Sequence, residues 1–174
     1  KYIKKVQLKK GEYNVYLRNS QDIEKVLFFL KYNINSQFKL LMDICGIDNM
    51  QKYENRFEID YNLLSVKYWT RMHIKVHVNE FIPVNSVIKI FKSANWYERE
   101  IWDMFGIFFK NHSDLRRILT DYGFEGFPLR KDFPQTGYVE LRYNNDYKHL
   151  IYEPVELTQD FRSFDFLSPW NQIK

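Results

Sequence analysis

A chain of 174 residues, 45% hydrophobic and 28% charged, can bury the core of one domain with an appended arm and has ordinary soluble character. Lysine and arginine (26) exceed aspartate and glutamate (22) by four, a mild basic excess that permits an anionic partner without requiring one. The one cysteine, Cys45, excludes an internal disulfide, the ligand set of an iron–sulfur cluster and a cysteine-based structural zinc site, and the apolar run Val26–Leu30 falls far short of the roughly 18 residues of a membrane span.

Lys1–Lys10 is basic and lacks the apolar core of a secretory signal. Ser20–Asn33 reads as a helix. Ser20 or Asp22 is placed to cap it, Glu24 sits in its first turn, and Ile23, Val26, Leu27 and Leu30 form one apolar stripe. Phe38–Asp48 is a short apolar run with a glycine, expected as a strand and turn. Arg56–Val66 alternates, with Phe57, Ile59, Tyr61 and Leu63 on one face and Glu58, Asp60 and Asn62 on the other. Arg71–Val78 alternates in the same way, with Met72, Ile74, Val76 and Val78 inward. The two runs predict an antiparallel hairpin turning near Trp69–Thr70. After Pro83, Asn85–Phe91 is expected as a short helix, and Ala94–Phe105 as a second one closed by Gly106 in a left-handed cap. The fold class is therefore α+β: a small mixed domain of antiparallel strands with helices on one side, over residues 1–109.

The character then changes. Four of the five prolines lie in the last third, as do Gly123, Gly126 and Gly137, and no long amphipathic period survives. Yet Phe124, Phe127, Phe133, Tyr138, Phe161, Phe164, Phe166 and Trp170 are spread through it. A disordered linker would be poor in aromatics. Residues 110–174 are expected as an extended docking arm that buries these rings on another chain. The overall aromatic content, 18%, fits interface or base-stacking platforms. It fits better an AT-rich gene, which favours the codons for Phe, Tyr, Ile, Asn and Lys and suits an organellar genome.

Several groups carry possible chemistry. His73 and His77 have the spacing of a helical metal pair, but on a strand rising about 3.3 Å per residue they stand about 13 Å apart on the polar face, too far to share one zinc. Glu98, Glu100 and Asp103 are candidates for acid–base work; the plainer reading is an ion-paired helix, with Arg99 and Asp103 in an (i, i+4) relation, presenting charge to a neighbouring loop. His112 is a candidate base that only Asp114 is placed to orient, or a loop histidine bonded to a backbone carbonyl. Arg116, Arg117, Arg130 and Lys131, interleaved with phenylalanines, are the case for a basic aromatic nucleic-acid-binding module. Asp114, Asp121, Glu125 and Asp132 nearly cancel that charge, which suits directed ion pairs better than a phosphate groove. No GxGxxG, P-loop, GxSxG, HExxH or CxxC pattern occurs.

From "EREIWDMFGIFFKNHSDLRRIL" through "TDYGFEGFPLRKDFPQTGYVELRY" to "EPVELTQDFRSFDFLSPW", the chain closely resembles the 30-kDa subunit of respiratory complex I, the proton-pumping NADH:ubiquinone oxidoreductase. The resemblance covers Ala94 to about Trp170 and rests on Glu98, Arg99, Glu100, Asp103, Gly106, His112, Arg116, Arg117, Arg130, Lys131 and Asp132. The N-terminal half matches more loosely. "TDYGFEG" and "PLRKDFP" look like the mitochondrial and bacterial respiratory branch rather than plastid or hydrogenase relatives. The resemblance implies a peripheral-arm subunit in the quinone module, on the matrix side of the mitochondrial inner membrane, packed on the 49-kDa subunit with its arm across neighbouring subunits. It implies no catalytic residue, flavin or cluster in this chain; FMN, iron–sulfur clusters, NADH and ubiquinone belong to the whole complex. It also implies a mitochondrially encoded chain, or a nuclear one whose presequence was cleaved before Lys1.

Overall fold

The computed structural model describes residues 1–50, 55–160, 162 and 164. The chain divides into two compact units, Lys1–Phe133 and Pro134–Lys174. Among the described residues the first unit contains seven strands and two α-helices: β1 (Ile3–Lys9), β2 (Glu12–Leu17), α1 (Ile23–Tyr32), β3 (Leu40–Asp48), β4 (Phe57–Ser65), β5 (Thr70–Val78), β6 (Val84–Asn85), α2 (Ala94–Phe105) and β7 (Phe109–Lys110). Strands β1 to β5 form one sheet in the order β1-β2-β5-β4-β3, antiparallel throughout except where β2 runs parallel to β5. The class is α+β, as expected from the sequence.

The alternating runs produce the predicted hairpin. Phe57 pairs with Val78 and Ser65 with Thr70, and Trp69 turns the chain with φ +52°. Phe57, Ile59, Tyr61 and Leu63 are fully buried, with Ile74, Val76 and Val78 beside them. They join Ile23 and Leu27 of α1 and Ala94, Ile101 and Phe105 of α2 in one core. The opposite face is an ionic ladder rather than freely solvated. His73 Nδ1 lies 3.1 Å from Asp60 and its Nε2 3.0 Å from Glu12, while Lys75 Nζ donates to Glu58 at 2.7 Å. His77 stacks on Tyr16 in the same row.

Two local expectations change, and one segment to which the sequence assigns no element gains a strand. Neither Ser20 nor Asp22 makes a side-chain cap on α1: Ser20 opens a 3-10 turn, and Asp22, at the N-cap, instead accepts from Lys25 at 3.2 Å. Asn85–Phe91 is not a helix. Val84–Asn85 is drawn into parallel pairing with Phe109–Lys110, and the Val87 amide is taken by a side chain of α2, leaving a single turn at Val87–Phe91. Lys1–Lys10 contains a strand, and Lys10–Gly11, both at positive φ, close a two-residue hairpin into β2.

The first unit runs past Phe109 to Phe133. Residues 110–133 hold few regular elements, but their backbone is tied down by side chains of the sheet and α2. The second unit contains a hairpin, β8 (Val139–Asn144) with β9 (His149–Pro154). Phe161, Phe166 and Trp170 lie outside the described residues. Among the described residues no helix is long and apolar enough to cross a membrane.

Candidate functional site

Helix α2 and the segment that follows it bring most of the sequence-selected residues together. Ala94, Glu98, Ile101 and Phe105 recur at helical spacing and turn into the core, which carries Glu98 inward with them. Gly106 ends the helix at φ +75° and its amide donates to the Trp102 carbonyl at 2.9 Å. A Cβ built there would stand 2.6 Å from the Arg130 guanidinium and from the Phe127 ring, so both the turn and the close approach require glycine.

Glu98 and Asp103 share this helix and are both fully buried, but their environments push them opposite ways. Burial raises Asp103, yet five donors converge on it and hold its carboxyl below the usual range. Thr120 Oγ1 donates at 2.7 Å, the amides of Leu119, Thr120 and Ile118 at 2.7, 3.0 and 3.2 Å, and Arg117 at 3.4 Å. Among the described residues Glu98 accepts only from Ser86 Oγ at 2.6 Å and the Val87 amide at 2.8 Å, and burial pushes it up to about 7. His112 Nε2 stands 3.9 Å away and faces the Asn95 carbonyl at 3.3 Å.

The expected Arg99–Asp103 pair does not form. Arg99 donates to the Arg116 carbonyl and lies over Trp96, while Asp103 takes Arg117. Glu100 is exposed. Arg117 also donates to the Gly126 carbonyl at 2.9 Å and packs over Phe124 and Phe127. Arg130 donates to the Phe105 carbonyl, pairs with Glu80 and lies over Phe57 and Phe127. Asp132 is bound to Arg56, whose other edge holds the buried Asp48; Asp48 in turn accepts the Lys131 amide at 2.9 Å. That Asp48–Arg56–Asp132 clamp leaves no mark in the residue order, since Arg56 and Asp132 are 76 residues apart and no spacing rule links them. The Arg116 guanidinium remains on the surface, paired with Asp114.

The bonds to Asp103 and Asp48 hold the backbone of residues 118–120 and 131 against α2 and β3. Glu98, Glu100 and His112 do not line the apolar groove between α1 and β1, nor the polar cleft at Arg18–Asp22. Cys45 is exposed, yet its thiol is raised to about 12, by desolvation among its neighbours first and then by its bond to Asp43, which suppresses the thiolate. Among the described residues no group of three or more His, Cys, Asp or Glu side chains is arranged to hold a metal ion.

Residues 17–139 match the family described as "Respiratory-chain NADH dehydrogenase, 30 Kd subunit". The chain is 53% identical over 174 residues to "NADH-ubiquinone oxidoreductase subunit 9" of Reclinomonas americana, covering all of this chain and 84% of that one. It is 58% identical over 148 residues to an NADH-quinone oxidoreductase subunit of Paramagnetospirillum magneticum, covering 85% and 74%. "NADH dehydrogenase [ubiquinone] iron-sulfur protein 3" of Patellifolia webbiana is 50% identical over 173 residues, covering 99% and 88%. Among solved structures, a chain of the membrane-bound sulfane sulfur reductase, an archaeal respiratory membrane complex, aligns with a TM-score of 0.63 at 24% identity, covering 76% of this chain and 78% of that one. At that identity the likeness speaks for the fold alone.

Proposed function

Because the chain belongs to the family of the 30-kDa subunit of respiratory-chain NADH dehydrogenase, we propose that it is a cofactor-free structural and assembly subunit of complex I. On this reading it sits in the quinone module on the matrix side of the mitochondrial inner membrane, packs on the 49-kDa subunit, and is encoded in the mitochondrial genome. Electron transfer from NADH to ubiquinone, through FMN and iron–sulfur clusters, belongs to neighbouring subunits.

The observation that carries the proposal is the one-sidedness of the second unit's hairpin. Val139, Leu141, Tyr143, Leu150, Tyr152 and Pro154 share one face through their cross-strand pairs, and all six are exposed. The other face carries Glu140, Glu153 and Arg142, the last two joined at 2.7 Å. A lone two-stranded hairpin is marginal in water, and an exposed apolar face of this kind is built to be covered. The arginines that favoured nucleic acid argue against it, since Arg117 and Arg130 are both engaged within the chain. Native electrophoresis of solubilised mitochondrial membranes tests membership: the chain is expected in the high-mass band that carries NADH dehydrogenase activity. Migration apart from that band would refute the assignment.

A further inference from the structure

Glu98 is an acid placed where its charge has no cationic partner. Its Oε1 accepts from the Val87 amide and its Oε2 faces Ser86 Oγ, both supplied by the segment after β6. From β4, the Tyr61 hydroxyl is buried without a hydrogen-bond partner among the described residues, and its own ionisation is opposed by burial first and then by Glu98. From the loop after β7, His112 closes over the carboxylate, its side chain 1% exposed. On α2 itself, Arg99 reaches away to the Arg116 carbonyl, and Glu100 is on the surface. Among the described residues no lysine or arginine nitrogen lies within 4.0 Å of the Glu98 carboxylate.

His112 is poorly placed to supply the missing charge. Its Nδ1 accepts the Asp114 amide at 3.0 Å, so the ring proton resides on Nε2, which points at the Asn95 carbonyl. A second ring proton at Nδ1 would have to displace the Asp114 amide and break the loop turn. Burial also places the Glu98 carboxyl near neutrality, up to about 7, against the opposing bonds from Ser86 and Val87.

We propose that Glu98 and His112 form a proton-linked latch on the loop Asn111–Asp114: the loop is closed over α2 while Glu98 holds its proton, and opens when that proton is lost to solvent. In the closed state the ionised carboxylate meets no lysine or arginine among the described residues and receives no hydrogen bond from His112, whose Nε2 points at the Asn95 carbonyl, so it gains hydration by lifting His112 away. The loop also carries the chain into the exposed Asp114–Arg116 pair and into the Arg116 carbonyl that receives Arg99. Opening therefore alters the charge displayed next to α2. The latch does not depend on the assembly role proposed above.

The test is amide hydrogen exchange on the full-length chain between about pH 6 and pH 8.5, with each rate divided by its intrinsic rate. Protection at residues 111–116 is expected to fall by up to about tenfold per pH unit above about 7 in the wild type and to stay level in Glu98→Gln, with the β4–β5 amides unchanged in both. An equal fall in Glu98→Gln, or level protection in the wild type, overturns the proposal. Should Glu98→Gln not fold, infrared spectra of the wild-type chain with 13C-labelled glutamate decide. A buried protonated carboxyl band that vanishes through neutral pH supports the latch; no such band at about pH 6 overturns it.

Discussion

Replacing Asp103 by alanine removes the shared acceptor of three backbone amides and the Thr120 hydroxyl, and strips Arg117 of its carboxylate. A fully buried donor left without a partner costs about 1–3 kcal/mol; these donors are part-buried, and water entering the vacated space recovers part of that. The net loss is expected to be about 3–5 kcal/mol, comparable to breaking a buried ion pair and a large share of the roughly 5–15 kcal/mol of a typical domain. Asp103→Asn keeps one acceptor oxygen but turns an amide donor onto donors, and should lose nearly as much. Denaturant unfolding gives the magnitude, and amide exchange at Ile118–Thr120 gives the location. The acid limb follows from the lowered carboxyl: stability is present above the ordinary value of 3.8 and is lost as pH falls through the folded value. Asp103→Ala costing under about 1 kcal/mol, or leaving the 118–120 amides protected, would falsify this reasoning.

Glu98 gives the opposite sign. Its folded value is raised from 4.5 to about 7, so its contribution is fully present below 4.5 and falls by about 3 kcal/mol as pH rises to about 7. Unfolding free energies of Glu98→Gln across that window should lack this slope; an unchanged slope assigns it to another group. Gly106→Ala places a methyl 2.6 Å from Phe127 at a positive φ, and about 2–4 kcal/mol of thermal stability should be lost, whereas a variant within about 0.5 kcal/mol of wild type would mean the turn tolerates a side chain. Arg130→Ala and Arg117→Ala should expose residues 110–133 to limited proteolysis, and in cells should lower the amount of assembled peripheral arm far more than the turnover per assembled complex. Wild-type protease resistance would show that these side chains do not retain the segment.

The alternating runs of β4 and β5 made their hairpin legible, because each strand buries one face and the period of two survives in the residue order. The stripe of α1 and the glycine stop of α2 were legible for the same local reason. The β1 strand was hidden because Ile3 and Val6 are three residues apart and share a face only through a register shift between Ile3 and Lys5, and because lysines at positions 4, 5, 9 and 10 surround apolar residues that are themselves exposed. The parallel join of β2 to β5 is nonlocal and leaves no local signal. In the candidate site the charged residues stand out by their density, but their partners do not. The (i, i+4) rule points from Arg99 to Asp103, whereas burial hands Asp103 to the loop at 117–120. A surface spacing rule carries little weight against five donors around a fully buried carboxylate. Asp48 lies at the end of a strand and gives no hint that Arg56 and the Lys131 amide converge on it.

Placing charge on the exposed face of the β8–β9 hairpin, as Leu141→Asp with Tyr152→Asp, separates a docking role from a catalytic one most directly. The two positions are cross-strand partners, so the variant alters one face and leaves the Arg142–Glu153 pair in place. Assembled NADH:ubiquinone oxidoreductase is quantified by native electrophoresis, and quinone reduction is normalised to the assembled complex. The amount assembled should fall several-fold with turnover per complex unchanged; normal assembly with collapsed quinone reduction would contradict the account.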